Sequence, residues 1–188
     1  YLYILKINTP PAWDQGYHLS NVFKMFNILD AQGINFFDKF DQLLNVTESY
    51  RGPLTYFLSA LFLKFFNNSY QYAYLSNQIF NIISIISIFN LGKLLKNQST
   101  GIWASLIFTF SSLILKQRSD YLIDLSLTSF CTLGFLFFTK WYLDKKIFSF
   151  YSSLAGISLG LIFLTRPTGI VIFTFPFILI ILKLIKRE

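Results

Sequence analysis

Residues 74–92 carry no charged side chain, and this run fixes what kind of molecule the chain can be. A helix rises about 1.5 Å per residue and the hydrocarbon core of a bilayer is about 30 Å thick, so such a run can cross it. Residues 101–115, 121–139, 150–164 and 169–185 span or nearly span by the same measure. The segments 101–115 and 150–164 are short, and flanking Lys and Arg can snorkel to make up the difference. Charged residues are 13% of the chain, where a soluble domain has about a quarter, and the deficit is concentrated in these runs. The sequence therefore predicts an all-α, polytopic membrane protein.

The short turns between runs set the orientation. Lys93, Lys96, Lys140, Lys145, Lys146, Lys183, Lys186 and Arg187 lie on one side, and only Lys116, Arg118 and Arg166 on the other. The richer set belongs in the cytosol. The long stretch from Lys6 to Tyr72 then lies outside it, with Asp14, Asp120 and Asp124. The net charge of +7 is spread over these caps and forms no patch with a groove-entering helix, so no nucleic-acid partner is expected. The single Cys131 sits in an apolar run and offers neither a disulfide framework nor a metal cluster.

Two parts of the outer stretch have helical periodicity. Val22, Phe23, Phe26, Ile28 and Leu29 recur on one face, with Asn21, Lys24 and Asn27 largely on the other. Leu54, Phe57, Leu58, Leu61, Phe62, Phe65 and Phe66 repeat the pattern, with Pro53 at the helix start and Asn67-Asn68 closing it. Both read as amphipathic helices in the membrane interface. A turn-rich stretch, 38–52, is expected between them. Residues 1–5 read as the end of a truncated first span, 6–73 as the first extracytoplasmic loop, and 74–188 as a bundle of about five spans. The C-terminal part of a longer parent is expected to follow.

Ionisable residues cluster where these segments begin and end. Asp14 suits either a helix cap or chemistry at the membrane surface, and His18 lies one turn further on the same face. Asp124 falls one turn past Asp120 inside the outer end of an apolar run, where an ionisable side chain points to function. Arg118 could pair with either carboxylate, and Arg166 could simply snorkel. Taken together, Asp14, Arg51, Arg118, Asp124 and Arg166 fall on one face. Guanidiniums there can clamp a lipid-linked phosphate, and a carboxylate can deprotonate an acceptor. Asn77, Asn81, Ser84, Ser87 and Asn90 mark one helix face that points into the protein, for helix–helix hydrogen bonds or a substrate groove.

The order of "PPAWDQGYHL", "YRGPLTYFLSALFLKFFN", "RSDYLIDLSLT" and "LIFLTRPTG" resembles the N-terminal half of the dolichyl-phosphate-mannose protein mannosyltransferase superfamily. That group includes bacterial glycosyltransferases and the aminoarabinose transferases that modify lipid A. The resemblance implies a GT-C-type helix bundle with interfacial amphipathic helices in the first extracytoplasmic loop. It also implies a sugar donor carried on polyprenyl phosphate. Asp14 matches the position of the catalytic base, Arg51 a basic position before a Pro-Leu helix start, Asp124 an acid opening a later span, and Arg166 the basic residue of an Arg-Pro-Thr-Gly turn. Gln15 stands where many relatives have a second acid, which leaves Asp14 alone.

The expected function is an integral membrane hexosyl- or pentosyltransferase that moves a sugar, with inversion, from a polyprenyl-phosphate donor to an extracytoplasmic protein, lipid or glycan. Asp14 is the expected base, Arg51, Arg118 and Arg166 the phosphate ligands, and Asp124 and His18 the residues that orient the site. No cofactor or metal is expected. A bacterial inner membrane is the expected location, and the lipid bilayer a partner. The rival readings are a secondary transporter or lipid flippase and a noncatalytic cell-envelope assembly partner. The visible absence of repeated halves speaks against the transporter.

Overall fold

A computed structural model of the chain describes residues 13–48, 51–66, 69–144, 146 and 148–186. The expected end of a first span at 1–5, the Pro10-Pro11 pair and the helix-closing Asn67-Asn68 lie outside them. Among the described residues the regular structure is helical throughout, with no strand. The elements in order are α1 (Trp13–Asp30), α2 (Phe36–Asn45), α3 (Leu54–Phe66), α4 (Tyr70–Ala73), α5 (Leu75–Leu95), α6 (Gln98–Phe110) and α7 (Ser112–Ser119). After these come α8 (Asp124–Leu143), α9 (Phe150–Thr165), a 3₁₀ helix (Pro167–Phe173) and α10 (Thr174–Lys186).

α5 is inside-out by the standards of a soluble helix. Its buried residues include Ser76, Asn77, Asn81, Ser84 and Ser87, while Ile79, Ile82 and Ile86 are about half exposed. In water that choice of faces wastes apolar burial and strands amides. In lipid it is the stable one, because polar groups can be satisfied only by neighbouring helices. Ser84 shares a hydrogen bond with Ser129 of α8 at 3.0 Å, and Ser129 also donates to the Phe80 carbonyl. With α4, α5 forms a stretch, Tyr70–Leu95, long and apolar enough to cross a membrane.

The expected span at 101–115 is two helices, α6 and α7, bent by 57° at Ser111. Ser111 is extended, with φ −65° and ψ 137°, and its hydroxyl bonds back to Phe108 O at 3.0 Å, so a local side-chain bond replaces the helical ladder. If this pair counts as one span, two candidate crossings lie among the described residues. At the close approach of α5 and α6, a Cβ on Gly92 would come within 2.7 Å of the Gly101 Cα. α8 begins at Asp124, not Tyr121, and continues to Leu143. The expected helix at 169–185 opens instead as the 3₁₀ turn from Pro167, which has no N–H to donate.

Around α3 the segment before α5 makes a core of its own. α1 lays Leu19, Val22 and Met25 against Tyr56, Ala60 and Leu63 of α3, with Tyr74, Tyr121 and Ile123 closing the cluster. Burial of each such aliphatic side chain stabilises by roughly 1.5–3 kcal/mol. Asn21, expected on the polar face, is instead almost fully buried, because the packed face of α1 runs through 18, 21, 22 and 25. Lys39 Nζ donates to Ala31 O at 2.8 Å and Lys64 Nζ to Leu29 O at 3.2 Å, so two ammonium groups cap the negative end of α1.

The stretch expected to be turn-rich holds α2. Asn35 caps it by accepting from the Asp38 N–H at 2.8 Å. Phe36, Phe37, Phe40 and Leu44 share one side and are all exposed, while Asp38, Asp41, Gln42 and Asn45 occupy the other.

Candidate active site

Four of the six candidate residues come from elements that the Arg51–Tyr56 segment ties together. The Gly52 N–H donates to Thr165 O at 3.0 Å, and a Cβ on Gly52 would sit 1.9 Å from Leu164 O. Only glycine lets the first loop approach the C-terminus of α9 so closely. Arg51 and Arg166 are thereby held one residue away, on either side of a shared backbone contact. Thr55 Oγ1 and Ser126 Oγ lie 2.6 Å apart, which fastens α3 to the first turn of α8, the turn that Asp124 opens.

Arg166 Nη1 donates to Asp124 Oδ1 at 3.2 Å, with both side chains about two-fifths exposed. A pair this open to water contributes no more than about 1 kcal/mol to stability. Its consequence is orientation: Asp124 is claimed by Arg166, not by Arg118. The Arg51 guanidinium stacks over the Tyr17 ring, 4.2 Å from its centroid. A cation–π contact at a half-exposed site is worth about 0.5–1 kcal/mol, and this one sets the direction of the fork.

His18 lies beneath these charges. It is 6% exposed, its Nδ1 is 2.7 Å from Tyr56 Oη, and the two rings stack at 5.8 Å between centroids. Burial lowers its pKa to about 4, reinforced by Arg51 and opposed by Asp124 and Asp14, with Arg166 also lowering it. The imidazole is therefore neutral near pH 7.

Asp14 stands in the first turn of α1, exposed, with its negative charge favourably near the helix N-terminus. Its neighbour Gln15 accepts a hydrogen bond from Tyr74 Oη at 3.1 Å, which ties this turn to the start of α5. Arg118 lies half-buried in the last turn of α7 and, among the described residues, is not one of the groups that act on His18. That end of α7 is held by Asn77 Nδ2, which donates to Asp120 O at 3.1 Å. Gly52, Thr55, Tyr56 and Tyr17 were not singled out as functional from sequence. The "YRGPL" motif was the only local signal, and it pointed at Arg51.

Among the described residues no group of three or more His, Cys, Asp or Glu side chains is placed to hold a metal ion. Beyond the charged cluster, an apolar groove of about 770 Å³ runs between α8, α9 and α10. Trp141, Leu159, Ile170, Phe173 and Phe177 line it.

No curated protein and no solved structure matches the chain. The family model described as dolichyl-phosphate-mannose-protein mannosyltransferase matches residues 50–187, which include Arg51, Arg118, Asp124 and Arg166. Asp14 and His18 lie before the matched segment, so the family match does not extend over "PPAWDQGYHL". With most of its length matched, and with the lipid-adapted faces of α5, this chain belongs to the dolichyl-phosphate-mannose-protein mannosyltransferase family of integral membrane glycosyltransferases.

Proposed function

We propose that the chain carries the donor site of a GT-C-type glycosyltransferase that takes a sugar from a polyprenyl-phosphate donor on the outer face of the membrane. The observation that carries this reading is the Gly52–Thr165 backbone contact, which sets Arg51 beside Arg166, itself paired with Asp124, while the Arg51 stack on Tyr17 brings in the first turn of α1 that holds Asp14. The guanidiniums of Arg51 and Arg166 can each pair with the non-bridging oxygens of a phosphodiester, which carries one negative charge.

In the proposed reaction the acceptor hydroxyl or amine gives its proton to the Asp14 carboxylate and its lone pair to the anomeric carbon. The bond from that carbon to the phosphate oxygen breaks on the opposite face, which inverts the centre. The electron pair leaves on the polyprenyl phosphate. Arg51 and Arg166 stabilise that charge as it develops, which contributes more than ground-state binding would. Asp124 holds the Arg166 fork in register through their 3.2 Å contact. Arg118 is assigned a weaker part, as a basic residue that attracts the donor at the rim.

The apolar groove supports a lipid donor, since it gives an isoprenoid tail a path away from the arginines. The domain plan 1–5, 6–73 and 74–188, an extracytoplasmic site and a bacterial inner membrane remain parts of the same proposal. They rest on the unequal distribution of Lys and Arg between the turns. Asp14→Asn in the complete protein should abolish transfer from polyprenyl-phosphate sugars with expression and thermal stability unchanged. Wild-type turnover in that variant rejects Asp14 as the base.

A further inference from the structure

Asp14 poses a mechanical problem. Its side chain is exposed, so the place of its carboxylate depends on how the first turn of α1 is held. The structure grips that part of α1 through its ring residues. Tyr17 lies under the Arg51 guanidinium, and His18, one turn below Asp14 on the same face, bonds to Tyr56. Tyr56 is fully buried in the first turn of α3. Its neighbour Thr55 reaches Ser126, two residues past Asp124, and Gly52 holds the carbonyl before Arg166. The five residues from Gly52 to Tyr56 thus touch α1, α8 and the end of α9, the three carriers of the proposed machinery.

We infer that Tyr56 is a positioning residue for the proposed transfer: its hydroxyl holds the His18 ring, and through it the Asp14 turn, against the Arg51–Arg166 pair. This rests on the reaction proposed above, with Asp14 as base. A tyrosine needed only for packing could be phenylalanine, since α3 has abundant apolar contacts on this face. The hydroxyl instead meets the His18 ring, which packs edge-on against Tyr17, the ring under the Arg51 guanidinium. Reacting groups must be aligned to within about 1 Å, and a shift of that size costs up to about 100-fold in rate.

The test uses the complete protein in lipid nanodiscs, with mannosyl phosphoryl decaprenol as donor probe. Two readouts are needed: hydrolysis of the probe, in which water stands in for the acceptor and mannose leaves decaprenyl phosphate, and diethyl pyrocarbonate modification of His18 mapped by mass spectrometry. Tyr56→Phe should raise His18 modification about tenfold and lower kcat by about 10–100-fold, with KM for the probe within about twofold. His18→Asn, which places an amide near the lost Nδ1, should retain more activity than His18→Phe, which should resemble Tyr56→Phe. Should that amide give no rescue, the hydrogen bond has no positioning role.

Unchanged His18 modification in Tyr56→Phe overturns the bracket, whatever the turnover. Freed His18 with unchanged kcat overturns its bearing on the reaction. A wild type that shows His18 protected yet releases no sugar from the probe counts against the proposed reaction itself, and so against this purpose for Tyr56. A Tyr56→Phe protein that keeps its melting temperature but raises KM alone would show a donor-binding role and also overturn the inference.

Discussion

The backbone N–H of Gly52 donates to the carbonyl of Thr165 at 3.0 Å, and the α9 backbone leaves no room for a side chain on that glycine. A loop outside the bundle and the end of a bundle helix therefore share one seam, with Arg51 and Arg166 on its two lips. Gly52→Ala should open it. A Cβ meeting backbone oxygen at 1.9 Å cannot be absorbed by a rotamer change. We expect a loss of roughly 2–3 kcal/mol in thermal stability and more than about 100-fold in transfer, read by melting in detergent alongside the donor assay. A variant with native melting and native turnover would show that the seam does not set the site.

The Asp124–Arg166 contact separates stability from activity. Because both groups are two-fifths exposed, Asp124→Asn should change stability by less than about 1 kcal/mol. Arg166→Lys keeps the charge and loses the planar fork, so it should be similarly silent in melting. Both should lower kcat by about 10–100-fold if the fork stabilises the leaving phosphate. A parallel loss of melting temperature in both variants would make the pair structural.

His18 gives a pH dependence whose sign follows from its surroundings. Its folded pKa is lowered to about 4, by burial first and then by Arg51, against an unfolded value near 6.5. Between those values the unfolded chain binds the extra proton, so stability falls as pH falls from about 6.5 to 4 and is level above about 7. The His18 contribution to that fall is about 3 kcal/mol. Comparing denaturation midpoints of wild type and His18→Asn across this range isolates it. Identical pH slopes in the two proteins would contradict a buried neutral imidazole.

α2 presents Phe36, Phe37, Phe40 and Leu44 outward with its charges on the other side, and a membrane enzyme has an apolar medium at hand to receive such a face. A fluorophore on Phe37→Cys should be quenched by spin labels near the lipid headgroups, whereas one on Asp41→Cys should not. Equal quenching at both positions would leave α2 in water. Phe37→Ser should change thermal stability in detergent by less than about 0.5 kcal/mol, since the side chain is 80% exposed.

Where a signal is local, the chain announces its structure. Leu54–Phe66 follows from Pro53 and the apolar stripe after it, and the polar face of α5 from Asn and Ser residues spaced four and three apart, except that Asn90 is not buried and its amide donates to Ile86 O of its own helix. α2 was hidden because Asp38, Asp41 and Asn45 are turn formers by habit, and a short amphipathic helix needs them only as its wet side. The break at Ser111 carries neither Gly nor Pro, so nothing in 101–115 marks it. The charged candidates could be named from sequence because ionisable groups are rare in this chain. Their supports could not: Gly52–Thr165 is a backbone bond between distant segments, and Tyr56 is one aromatic among many.

The Gly52–Thr165 seam also dictates an order of events at the ribosome. Gly52 leaves the translocation channel long before Thr165 has been synthesised, so the early helices must wait, with an unclosed edge, for α9 to arrive. Until then Arg166 is missing from the far side of the seam, and a nascent chain halted within α8 would carry only one of the two arginines that flank it. The side-by-side placing of those two arginines is therefore among the later events of folding, waiting on a helix made more than a hundred residues' synthesis after the first.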